Sequence, residues 1–208
     1  MSADLALLRR GLESLDRVVV AFSGGADSAF LAWVANDTLG PERATAVTAV
    51  SPSLPALERD DCAALARDWG LEWREVETDE MLNASYVRND ADRCFHCKDA
   101  LMDVLEPMST VDGSTVVLGV NIDDLGDHRP GQRAASERGA RFPLVDAGFT
   151  KADVRAVSRQ LGLSTWDKPA AACLSSRIPY GIPVSLGVLA EVEAAERGLR
   201  ENRRRRGP

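Results

Sequence analysis

The chain has 208 residues, 45% of them hydrophobic and 27% charged, with a formal net charge of −7. That length carries a real core without disulfide staples and fits one domain, or one domain plus an appendage. No apolar run approaches the roughly 18 residues of a membrane span, and the opening MSADLALLRRGLESL lacks the basic start and continuous apolar core of a secretory leader. The expectation is a cytoplasmic protein with no membrane attachment, in which the four cysteines stay reduced and metal or catalytic use of them gains weight. Residues 191–208 hold six Arg against four Glu, so the remaining body is more acidic than the total. An acidic body suits a nucleic-acid backbone poorly, and Arg203 to Arg206 read as a solvated, frayed terminus.

In chain order, apolar residues at 5, 7, 8, 12 and 15 predict an amphipathic helix over 5–15. The β-branched run Arg17 to Phe22 predicts a buried strand. A glycine loop follows at Ser23-Gly24-Gly25-Ala26-Asp27-Ser28, then a helix over 28–39. A second strand covers 44–50, a helix 54–69 stops at Gly70, and a third strand covers 71–76. Residues 78–93 are polar and read as loop-rich; 94–105 reads as a helix, and 115–120 as a fourth strand. A helix over 151–161 stops at Gly162, Pro169 to Pro183 punctuate a loop, and 185–199 reads as one last helix that breaks at Gly198. Trp33, Trp69 and Trp73 read as core residues. Strands alternating with helices predict an α/β fold with a doubly wound parallel sheet. Residues 1–167 form its nucleotide-binding domain, and 168–208 form a loop and terminal helix that begin an appendage.

Ligands of such sheets gather at the carboxyl ends of the strands. The glycine loop lies at the first of those ends. Its glycines admit a tight turn and close approach to phosphates, and free N–H groups at the following helix start attract an anion. Ser23 and Ser28 add hydroxyls, and Asp27 beside phosphate implies a Mg²⁺ between them. The loop has neither the lysine of G-x-x-x-x-G-K-[ST] nor the spacing G-x-G-x-x-G. It resembles the S-G-G-x-D-S signature of the PP-loop ATP pyrophosphatases (adenine nucleotide α-hydrolase-like), which split ATP between its α and β phosphates. Ser23, Gly24, Gly25, Asp27 and Ser28 are then the ATP contacts, with Ser51 and Gly119 at the second and fourth strand ends.

Cysteines divide the nitrogen-transferring from the sulfur-transferring members. Cys94-Phe95-His96-Cys97 is a C-x-x-C pair at a predicted helix start, and Cys173 lies in a later loop. Three thiolates suit a [4Fe–4S] cluster with one iron left open. Zinc, with His96 or His128 as fourth ligand, is the rival, and three buried thiols without a metal are the plainest reading. Cys62, on the apolar side of a helix, reads as a buried thiol.

Four segments together resemble the ATP-dependent sacrificial sulfur transferases of the LarE type: 22–28, 93–98, 119–131 and 166–181. The resemblance runs through roughly the first 200 residues in order. It implies an enzyme of nickel-pincer nucleotide cofactor biosynthesis that uses ATP and Mg²⁺ to adenylate a carboxylate of a pyridinium bis-carboxylate mononucleotide. A sulfur nucleophile then displaces AMP and leaves a thiocarboxylate. It also implies two sulfur sources: a sacrificial cysteine, for which Cys173 is the candidate, or a cluster on Cys94, Cys97 and Cys173. Three cysteines fit the cluster version better. Asn121, Asp124, Arg129, Ser176 and Arg177 are the candidate substrate contacts, with Asp123, Asp127 and Arg133 near them and Lys168 a candidate for balancing phosphate charge. Members of the family usually continue for some tens of residues beyond this point, and the complete form is expected to be a homo-oligomer. The alternatives are a tRNA thiolation enzyme, which the acidic body disfavours, a nitrogen-transfer synthetase of the NAD or GMP synthetase kind, which leaves the cysteines without a role, and a degenerate nucleotide-binding module.

Overall fold

A computed structural model describes residues 3–125 and 130–206. Strands β1 (Val18–Ala21), β2 (Ala44–Val50), β3 (Glu72–Glu77) and β4 (Thr115–Leu118) form one sheet in the order β3-β2-β1-β4, every neighbouring pair parallel. Successive side chains point to opposite faces of a strand. Val18 and Val20 accordingly enter one core with Ala44, Ala46 and Val117, while Val19 enters a second with Val47, Val116 and Leu118.

The first core is covered by α1 (Leu5–Leu15), α2 (Ala26–Leu39), α3 (Ala56–Trp69) and α8 (Lys151–Gln160). Asp4 caps α1 by accepting from Leu7 N at 3.0 Å, and Leu8 and Leu12 are its buried pair. Phe30, Leu31 and Val34 are all fully buried on α2, so that helix is apolar on most sides and lies inside the protein. The three tryptophans pack against this core as expected, and the Trp73 indole donates to Thr48 Oγ1 at 2.9 Å. The second core is covered by α5 (Arg93–Asp112), through Leu101, Met102 and Leu105, and by α6 (Pro130–Glu137).

The four strands fall where the β-branched runs place them, to within two residues at either end. Several helices differ. Residues 78–93 contain a 3-10 turn, Glu80–Leu82, and a short α4 (Ala84–Arg88), whose cap is Asn83 accepting from Ser85 N at 2.9 Å. Polar composition hid that cap. Helix α5 continues to Asp112, past the expected end at 105, and Gly113 in the left-handed region stops it. Helix α6 and the single-turn α7 (Pro143–Asp146) were not expected at all. The last helix, α9 (Leu186–Arg206), runs through Gly198 instead of breaking there. Its Arg and Glu residues are strong helix formers, and Glu196 pairs with Arg200 one turn on.

The chain winds outward from β1 to β2 and β3, then returns to place β4 on the other side of β1. The crevice of a doubly wound sheet opens at such a reversal. Here the carboxyl end of β4 closes tightly on the start of α2: a Cβ on Gly119 would lie 2.7 Å from Ser28 N and 2.8 Å from Ser28 Cα. Both neighbours are backbone, which cannot swing aside. We expect Gly119→Ala to lower stability by about 1–3 kcal/mol, the usual cost of overpacking. A urea titration checks this: the midpoint falls while the slope stays constant.

Candidate functional site

The glycine loop closes on itself through Ser28. The Ser28 hydroxyl donates to Gly25 O at 3.1 Å, lies 3.0 Å from Ser23 Oγ and accepts from Ser23 N at 3.2 Å. Helix α2 starts at Ala26, inside the motif and two residues earlier than expected. Its N-cap is Gly25, which has no side chain to bond the first-turn amides. Those N–H groups remain available to an anion. Gly24 sits at φ +69°, where only glycine is comfortable, and a Cβ there would meet Cys62 Sγ at 2.9 Å. Cys62 is the buried thiol expected, its pKa pushed up to about 11 by burial.

Asp27 stands in the first turn of α2. Burial and the nearby Asp124 raise its pKa, against the opposing pull of Asn121, Lys151 and Arg155. The structure thus brings Asp27, Asn121 and Asp124 together across the β1/β4 crevice. Asn121 is fully buried at the head of a 3-10 turn, Ile122–Asp124. Lys151 Nζ reaches Asp124 Oδ1 at 2.9 Å, and Asp123 accepts from Lys151 N at 2.8 Å. Two crowded carboxylates beside an anion site suit Mg²⁺, which takes one or two carboxylates and completes its shell with phosphates and water.

Lys168 closes the opposite side of the loop. Its ammonium lies 2.9 Å from Glu58 Oε2 and 2.7 Å from Asp61 Oδ2 on α3, and within 3.8 Å of the position a Gly24 Cβ would take. Burial pulls the Lys168 pKa down, but its bonds to Asp61 and Glu58 more than offset this and raise it. Arg155 fixes the segment behind it by donating to Trp166 O and Lys168 O.

The loop that carries Cys173 is bonded to the turn after β2, where Leu174 N donates to Ser53 O at 2.9 Å. Cys94 and Cys97 occupy the first turn and a half of α5, and Cys173 caps a 3-10 turn, Leu174–Arg177. Cys94 and Cys173 are exposed and Cys97 is half-buried. Cys97 packs against Tyr86, Leu174, Ile178, Val184 and Leu189, and its thiol feels the charge of both Cys94 and Cys173. A buried polar clasp makes this convergence possible. Asn89, at φ +61°, donates its amide to Pro179 O and Ile182 O, each at 2.8 Å. Arg93 donates to Asn89 Oδ1 and to Ser175 O. Ser53, Tyr86 and Ser175 close a triangle of hydroxyls with edges of 2.6, 2.7 and 2.8 Å. Three hydroxyls in a ring let each donate once and accept once.

A family model described as NAD synthase matches residues 8–101. An uncharacterized protein of Synechocystis is 46% identical over 201 residues, 96% of this chain and 75% of that protein. The pyridinium-3,5-bisthiocarboxylic acid mononucleotide synthase of Lactiplantibacillus plantarum is 39% identical over 196 residues, 94% of this chain and 71% of that protein. The chain belongs to the LarE family of PP-loop enzymes. Among solved structures, an NH3-dependent NAD synthetase from Campylobacter jejuni, in complex with nitrate, superposes with a TM-score of 0.61 at 20% identity, over 83% of this chain and 77% of that one, a likeness of fold alone. No helix among the described residues is long and apolar enough to cross a membrane.

Against the LarE expectations the geometry divides. Among the described residues, no three His, Cys, Asp or Glu side chains are arranged to hold a metal ion. Among the described residues the three thiols share a region without forming a ligand set for the expected [4Fe–4S] cluster, and His128, one of the two zinc candidates, lies outside them. His96 instead faces Asp92 on its own helix, Nε2 to Oδ2 at 3.2 Å. The hydroxyl of Ser176 donates to Cys173 O at 2.6 Å, and Arg177 pairs with Glu196 of α9 at 2.7 Å. Both side chains hold the loop together. Ser51 serves the turn after β2 by accepting from Ser53 N, and Gly119 serves the close packing of β4 on α2. Arg133, on α6, stacks over Phe95 and pairs with Glu137. Arg129, Asp127 and His128 lie outside the described residues. Sequence reading missed Glu58, Asp61, Tyr86, Asn89 and Arg93; the available signal was Asn89, a residue type suited to the left-handed conformation.

Two outcomes follow for this site. The Cys97 thiol is pushed up to about 11, chiefly by burial, and only the thiolate reacts. Iodoacetamide near neutral pH should therefore modify Cys94 and Cys173 before Cys97, with the Cys97 rate climbing as pH rises towards 11; peptide mass mapping gives the order. Tyr86→Phe removes one corner of the hydroxyl triangle and should cost about 0.5–1.5 kcal/mol in a denaturant titration, while protease cleavage within 173–184 becomes faster.

Proposed function

We propose that the chain is an ATP-dependent sulfurtransferase that adenylates a carboxylate of a pyridinium bis-carboxylate mononucleotide and converts it to a thiocarboxylate. The observation that carries this reading is the pairing of an uncapped PP-loop helix start with a Cys97 thiol that feels the charge of both Cys94 and Cys173. The Lactiplantibacillus relative, a pyridinium-3,5-bisthiocarboxylic acid mononucleotide synthase, supports the same substrate and product.

A carboxylate is a poor electrophile, and adenylation gives it a good leaving group. A substrate carboxylate oxygen attacks the α-phosphorus of ATP, the bond to the bridging oxygen breaks, and pyrophosphate departs. The first-turn amides of α2 and Lys168 receive the phosphates, and Asp27 and Asp124 are the residues that would hold Mg²⁺. Mg²⁺ when bound offsets phosphate charge. Cys173, exposed on a clasped loop, then attacks the acyl carbon as a thiolate and AMP leaves. Removal of the Cys173 Cα proton breaks its Cβ–Sγ bond. The sulfur stays on the substrate as a thiocarboxylate, and the residue becomes dehydroalanine.

The rival sulfur source is the iron–sulfur cluster expected on Cys94, Cys97 and Cys173, for which the described residues form no ligand set. The cytoplasm, where thiols stay reduced, suits both sources.

The deciding experiment incubates anaerobically purified protein with ATP, Mg²⁺ and the mononucleotide, following pyrophosphate, whole-protein mass and iron. Pyrophosphate release should depend on the mononucleotide, and Cys173→Ala should release it without forming thiocarboxylate. Iron-free protein that loses the mass of H2S identifies the sacrificial route; about four irons per chain with unchanged mass identifies the cluster. Absence of substrate-dependent pyrophosphate release, or thiocarboxylate formation by Cys173→Ala, rejects the proposal.

A further inference from the structure

Arg93 is 5% exposed, yet no Asp or Glu of the described residues makes an ion pair with it. Its chain neighbours are committed elsewhere: Asp90 pairs with Arg88 and Asp92 with His96. Glu80, another buried charge of this region, acts on Cys97 and Tyr86 and makes no ion pair with Arg93. The guanidinium spends only Nη1, on Asn89 Oδ1 and on Ser175 O at 2.8 Å. Its Nε and Nη2 make no hydrogen bond to the described residues, and the exposed Tyr180 ring stands beside it, 5.6 Å from Cζ to centroid.

A buried cation without a counter-charge is costly unless a ligand supplies one. The idle edge of an arginine is a planar fork that fits a carboxylate with two parallel bonds. The position is equally specific. Arg93 directly precedes Cys94, and its carbonyl partner Ser175 lies two residues after Cys173. It is also the first residue of the twenty-residue α5, whose Asp92 cap makes no side-chain bond, so the helix start reinforces the pull on an anion.

We propose that Arg93 is the carboxylate-binding residue of the acceptor substrate, holding one carboxylate of the pyridinium ring between Cys94 and Cys173. This rests on the substrate reading above. The exposed Tyr180 ring beside the guanidinium offers a flat aromatic acid a face to stack on, which a phosphate alone would not use.

Calorimetric titration of the full chain with nicotinic acid mononucleotide and with nicotinamide mononucleotide separates the two anionic groups, since only the former carries a carboxylate. The wild type should bind the acid more tightly than the amide. Arg93→Lys keeps a donor for Ser175 O but loses the fork, and should weaken acid binding about 10- to 100-fold with amide binding unchanged. In the wild type, the acid should slow iodoacetamide labelling of Cys94 and Cys173 and the amide should not, a test that needs no variant. Equal affinity of the wild type for acid and amide, equal loss of both in Arg93→Lys, or no protection of the cysteines by the acid overturns the assignment. A lost acid preference in Arg93→Lys, together with a wild type that never releases pyrophosphate, would keep the Arg93 site and reject the proposed reaction.

Discussion

Cys173 stands where it does because a loop with almost no secondary structure of its own has its backbone groups bonded elsewhere. Apart from one 3-10 turn, residues 173–184 form no helix or strand, and carbonyls in such a segment need partners if they are to be buried. Asn89 and Arg93 provide them: one amide reaches Pro179 and Ile182, and one guanidinium nitrogen reaches Ser175. Leu174, Ile178, Val184 and Leu189 then seal the contact with Tyr86. Polar bonds set the register of the loop, and apolar burial stabilises it. A nucleophile needs this arrangement, because attack depends on a reacting atom held at near-contact geometry.

The clasp would be of little use if it were not joined to the glycine loop. Two links make the join. Leu174 N donates to Ser53 O at the turn after β2, so the cysteine loop is bonded directly to a strand end of the sheet. Arg155 of α8 holds the carbonyls of Trp166 and Lys168, which places the Lys168 ammonium beside Gly24 a few residues before the same loop begins. The sheet reversal between β1 and β4 opens the crevice, and the close contact of Gly119 with α2 keeps its walls in register.

What could be read from the sequence was local, and what could not was remote. The strand-glycine-helix passage at 18–39 declares itself because glycine, β-branched residues and helix formers act within a few positions of one another. The strands are equally legible, since burial on both faces demands unbroken apolar runs. The clasp is not legible. Arg93 and Ser175 are 82 residues apart, as Asn89 and Ile178 are 89 apart, and no local pattern marks either pair. Ser176 and Arg177 suggest a phosphate grip by their types, while their contacts to Cys173 O and Glu196 are facts that only the fold supplies. The three cysteines were legible as chemistry, whereas their spacing around Cys97 depends wholly on the clasp.

The two half-hidden cations of the site are in different states of readiness. Lys168 is neutralised by Glu58 and Asp61, so a phosphate reaching it must compete with two carboxylates already in place. That competition disfavours any anion too weakly charged to displace them, and a triphosphate with its metal is among the few small ligands that carry enough charge. Arg93 faces no such competitor, because its bonded partners are a carbonyl and an amide oxygen. A singly charged carboxylate is enough there, and it has only to shed its own water. Under the proposed function the two cations divide the ligands by charge: the phosphates of ATP go to the acid-guarded lysine, and a carboxylate of the acceptor goes to the unguarded arginine.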